Sequence, residues 1–97
     1  MDEATVVQHA EAHGQAVVDG DLTRPGEDFD QAALEGAGPV IKELPSPVES
    51  ADIEQVNLEG EVATLLIRYS GEGKSTVVES VWEDRDGRPK IVSVRVA

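Results

Sequence analysis

Apolar positions along the chain recur with two periods, and the change of period divides it. From Ala4 to Asp19 they fall at helical spacing, with Val6, Ala10, Gly14, Val17 and Val18 on one stripe and Val7 beside it. That spacing predicts an amphipathic helix over 4–19. Thr5 and Gln8 fit a capping box, Asp2 offers a cap one turn earlier, and Gly20 supplies a left-handed stop. Leu22 to Gly26 reads as a loop. The acidic pair Glu27-Asp28 suits the start of a second helix over roughly 28–36, burying Phe29, Ala32, Ala33 and Leu34. Gly36, Gly38 and Pro39 interrupt it, and Val40 to Leu44 adds a further helical turn.

Leu44-Pro45-Ser46-Pro47 is a stiff extended connector, because proline fixes φ and restricts its predecessor. Beyond it the pattern alternates. Ala51 and Ile53 lie on one phase and Val56 and Leu58 on the other, which places a bulge near Glu54-Gln55. Glu59-Gly60-Glu61 turns the chain into a strand over 62–69. After Gly71-Glu72-Gly73 a strand over 75–83 sets Val78 and Trp82 on one face and Val77 and Val81 on the other. Asp86-Gly87 is a strong hairpin signal, and Pro89 opens a last strand through Ile91 to Val96. These segments predict one α+β domain over 1–97, with helices about 4–44 packed on a four-stranded antiparallel sheet about 48–97.

Composition narrows what such a domain can do. With one Trp, one Tyr and one Phe the core must be aliphatic, and the absence of cysteine removes disulfides, thiolate chemistry and zinc knuckles. Residues 1–61 carry 15 acidic side chains against Arg24 and Lys42, whereas 62–97 are nearly balanced, for a total of −12. This balance disfavours nucleic acid and anionic membranes. It leaves either a solubilising surface or an acidic face for a basic protein partner. With no apolar run of bilayer length and no basic, apolar leader after Met1, the reading is a cytoplasmic protein.

Several motifs resemble sites without completing one. Gly73-Lys74-Ser75 has the end of a phosphate loop, but Arg68 stands where its first glycine belongs and a strand follows where a helix is needed. Asp19, Asp21, Thr23 and Asp30 have calcium-loop spacing, but Arg24 replaces the required glycine. His9 and His13 are one helical turn apart, with no third ligand marked by spacing, so neither a metal nor a cofactor is expected. Strands two to four are partly apolar on both faces. The face carrying Val62, Leu66, Val77 and Val81 reads as a homodimer interface.

The helix end Val17-Val18-Asp19-Gly20-Asp21-Leu22 and the hairpin from Trp82 to Val92, W-x-x-x-x-G-x-x-x-I-V, resemble the nuclear-transport-factor-2-like superfamily, which includes ketosteroid isomerase and small polyketide cyclases. The resemblance implies a cone-shaped sheet wrapped around a long helix, an apolar pocket between them and dimerisation through the sheet. The chain is a short form, lacking one strand–helix insertion and the usual aromatics, and it has no match to the isomerase's tyrosine and two aspartates. No catalytic residue is transferred. Pocket candidates are Val17, Leu65, Ile67 and Trp82 as walls, with His13 or Tyr69 as the polar contact. The reading favours a non-catalytic binding or interaction module. The alternative is a small-ligand-binding protein or an isomerase- or cyclase-like enzyme, with His13 as base and Tyr69 as donor to a developing enolate.

Overall fold

The structure is a computed structural model that describes residues 1–21 and 23–97, with Arg24 described by its backbone alone. A long helix α1 (Glu3–Asp19) is followed by three short ones, α2 (Thr23–Glu27), α3 (Gln31–Leu34) and α4 (Ala37–Glu43). Four strands follow, β1 (Ser50–Glu59), β2 (Val62–Gly71), β3 (Lys74–Arg85) and β4 (Arg88–Val96), pairing antiparallel in the order β1-β2-β3-β4. This is the α+β roll that the periodicity predicts.

Helix α1 forms because its apolar stripe has somewhere to go. Val6 and Ala10 are buried against Leu65, Ile67 and Trp82 on the inner face of the sheet. The helix approaches β1 so closely that a Cβ on Gly14 would sit 2.9 Å from the Ala51 Cβ, so glycine here is a packing requirement. Gly20 stops the helix with φ 75°, as expected. The capping box does not form. Asp2 is the N-cap residue without a side-chain cap bond, and Thr5 Oγ1 donates instead to Asp2 Oδ2 at 3.2 Å.

The strands alternate cleanly. Ala63, Leu65, Ile67 and Tyr69 of β2 and Thr76, Val78, Ser80 and Trp82 of β3 face inward. Register breaks between Ile53 and Gln55 in β1, where the change of phase predicts a bulge, and again between Val81 and Trp82 on the β4 side. Such breaks increase local twist and let the sheet curl over α1. Asp86 (φ 57°) and Gly87 (φ 84°) form the two-residue turn between β3 and β4, whose paired positive φ values match the twist of the strands.

The middle of the chain departs from its predicted course. Residues 28–36 do not make one helix. Phe29 forms a parallel bridge with Ile91, Ile91 N–H donates to the Asp28 carbonyl at 2.7 Å, and Asp30 N–H donates to the Ile91 carbonyl at 2.8 Å. Satisfying these backbone groups on the free edge of β4 outweighs local helix preference, and α3 survives as four residues, with Ala33 buried and Ala32 and Leu34 exposed. The predicted loop at 22–26 is helical from Thr23, and Leu22 lies outside the described residues. Gly38 and Pro39 open α4 rather than break it, because a missing N–H costs nothing in the first helical turn. Thr76 Oγ1 donates to the Glu43 carbonyl at 2.7 Å and ties the end of α4 to β3.

Candidate functional site

The stitch between 28–30 and β4 places a carboxylate inside the protein. The Asp28 side chain is fully buried, and among the described residues His13 and Arg88 reach it from distant elements. His13 Nδ1, from α1, lies 2.9 Å from Asp28 Oδ2. Arg88, at the start of β4, donates from Nη2 to Asp28 Oδ1 at 2.5 Å. Lys90 Nζ donates to the neighbouring Glu27 carbonyl at 2.8 Å. Burying a carboxylate is costly unless it is paired and hydrogen-bonded, and both conditions are met here.

His13 is 7% exposed, and its ring meets Phe29 and Trp82 edge-on at centroid distances of 5.9 and 6.0 Å. It also lines an apolar cavity of about 100 Å3. The other walls are Val17 from α1, Pro25 from α2, Phe29, Ala37, Val40 and Ile41 of α4 with Leu44 just beyond it, and Tyr69, Val78 and Val94 from the sheet. Ile41 is 58% exposed and belongs to both the wall and the surface, which marks the cavity's rim. Tyr69 is 4% exposed. Burial, and secondarily the charge of Asp28, raises its phenol well above the ordinary tyrosine range, so it remains an O–H donor.

The pocket candidates therefore divide. His13, Val17 and Tyr69 line the cavity. Leu65 and Trp82 are fully buried in the core beneath it, with Trp82 Nε1 donating to Ser80 Oγ at 2.9 Å. Ile67 lies in the separate groove between α1 and β1, with Ala10, Gly14 and Ala51. Among the described residues His9 shares no partner with His13, and its buried Nδ1 has no hydrogen bond to them. No group of three His, Cys, Asp or Glu side chains able to hold a metal occurs among the described residues.

Asp28 and Arg88 are absent from the sequence-derived candidates. Asp28 reads there as a helix-start acid, and Arg88 is only an unassigned position within the hairpin from Trp82 to Val92. They lie 60 residues apart, and no spacing rule connects them to each other or to His13. Chemically, an imidazole held by a carboxylate through Nδ1 offers Nε2 as a hydrogen-bond acceptor or proton acceptor, with the Tyr69 hydroxyl as a donor in the same cavity.

No protein-family model and no curated protein matches the sequence. Among solved structures, an NTF-2-like protein of unknown function from Burkholderia xenovorans LB400 superposes with a TM-score of 0.66. The match covers 98% of this chain and 84% of that one at 18% identity. This chain has the NTF-2-like fold. That fold hosts unrelated functions, so activity must be argued from the residues of the site. No helix among the described residues is long and apolar enough to cross a membrane.

Proposed function

We propose that this protein binds a small, uncharged, largely apolar molecule in the cavity between α1, α4 and the sheet, with His13 as the polar contact. One observation carries the reading: an imidazole oriented by a buried carboxylate stands in the wall of an otherwise apolar cavity. A cavity of this kind, apolar with a few placed polar groups, is the usual form of a ligand site. Its volume sets the scale. A cavity of about 150 Å3 holds benzene, so about four or five non-hydrogen atoms fit within 100 Å3. A larger ligand would have to extend past Ile41 or displace α4.

Amide and indole NMR signals of labelled protein, followed during titration with small apolar compounds, test the reading. Binding should shift Val17, Val40 and Tyr69 together, and Val40→Phe, which fills the cavity, should abolish the shifts. No response to any compound at millimolar concentration would end the proposal.

A further inference from the structure

We infer that the ligand class of this cavity is a small aliphatic alcohol, bound through a hydroxyl that donates to His13 Nε2. The inference rests on the ligand-binding reading above and follows from the direction of two hydrogen bonds. Arg88 can only donate, so Asp28 Oδ1 accepts from it. The Asp28 carboxylate then presents Oδ2 to His13 as an acceptor as well, 2.9 Å from Nδ1. A neutral imidazole in that position must carry its proton on Nδ1, which leaves Nε2 with a lone pair and no proton.

Ligand chemistry follows from this polarity. A carbonyl has only lone pairs to offer Nε2, and two acceptors do not bond. A hydroxyl donates to Nε2, and its oxygen can accept from Tyr69, which burial keeps protonated. An anion or an ammonium ion would lose its hydration in a chamber whose described walls are almost wholly apolar. The cavity volume limits the hydrocarbon part to about four carbons.

The test compares cyclobutanol, cyclobutanone and cyclopentane, which are similar in size and differ in polarity. Their affinities are measured by NMR titration of the full chain, and the His13 tautomer is read from ring 15N shifts at pH 8. The expected result is an Nδ1–H tautomer and cyclobutanol bound about tenfold more tightly than cyclobutanone, the scale of one hydrogen bond. His13→Phe should remove that preference and keep cyclopentane binding.

Asp28→Asn supplies an inverted control. Its carbonyl must face Arg88, so its amide N–H donates to His13 Nδ1, the ring proton moves to Nε2, and cyclobutanone becomes the tighter ligand. Equal or tighter binding of the ketone by the unaltered protein overturns the inference but leaves the cavity reading standing. An Nε2–H tautomer or a doubly protonated ring in the unaltered protein has the same consequence. Failure of all three compounds, cyclopentane included, overturns both. The tautomer measurement needs no variant and stands whether or not either substitution folds.

Discussion

Replacing Asp28 with alanine should cost this protein about 3 kcal/mol of stability, a large share of the 5–15 kcal/mol typical of a small domain. The figure follows from what the carboxylate touches. It accepts from Arg88 Nη2 and lies 2.9 Å from His13 Nδ1, and hydrogen bonds to charged groups contribute about 1.5–3 kcal/mol each. The two contributions are unequal. The Arg88 side chain is 33% exposed and regains water when its partner is lost, so its share falls towards the lower end. His13 is 7% exposed and cannot turn to solvent, leaving a buried Nδ1–H unsatisfied at about 1–3 kcal/mol. Backbone bonds from 28–30 to Ile91 remain, so the loop itself should hold. Urea unfolding followed by Trp82 fluorescence measures the loss directly. With a slope of about 1–2 kcal/mol per molar, the midpoint should fall by about 1.5–3 M without a change of slope. Arg88→Met should be comparably damaging, since it strands a buried carboxylate, and the double variant should lose less than the sum. A loss below about 1 kcal/mol for Asp28→Ala would refute the argument, because it would mean that water or a local shift replaces the carboxylate.

Three further outcomes are expected. Gly14→Ala gains about 1 kcal/mol of helix propensity but places a methyl 2.9 Å from the Ala51 Cβ, so it should destabilise by about 1 kcal/mol net; adding Ala51→Gly should restore stability, and a more stable single variant would contradict the packing account. Tyr69 should resist ionisation when absorbance at about 295 nm is followed from pH 9 to 11. Because the folded protein retains a proton that the unfolded chain releases near pH 10, stability should fall as pH rises through that range, and normal titration would show the phenol to be accessible. Finally, Val62, Leu66, Val77 and Val81 lie half-buried on the outer face of the sheet, and this patch supports the homodimer reading. Light scattering at high micromolar concentration should give a dimer that Leu66→Lys dissociates, and a monomer mass for the unaltered protein would remove the interface.

Element types and turns were legible in the sequence because they depend on nearest neighbours. The period of α1, the Gly20 stop, the phase change that marks the β1 bulge and the Asp86-Gly87 turn all follow from residues within a few positions of one another. Alternation along β2 and β3 likewise determined which side chains face inward before any partner was known. His13 could be singled out as a polar group beside the apolar stripe of an amphipathic helix, and Tyr69 as one on a largely apolar strand.

Where local preference competed with a distant partner, the tertiary structure decided. Phe29 left its predicted helix because the edge of β4 offered backbone hydrogen bonds that the isolated segment lacks. Trp82 became core rather than cavity wall because α1 packs directly over it. The join of His13, Asp28 and Arg88 spans 15 and 60 residues. A charge run in the sequence looks the same whether its members end in water or in the interior. The difference is desolvation: only when β4 and α1 close over Asp28 does an ordinary surface aspartate become a buried carboxylate that must be paired, and that pairing orients the imidazole in the cavity wall.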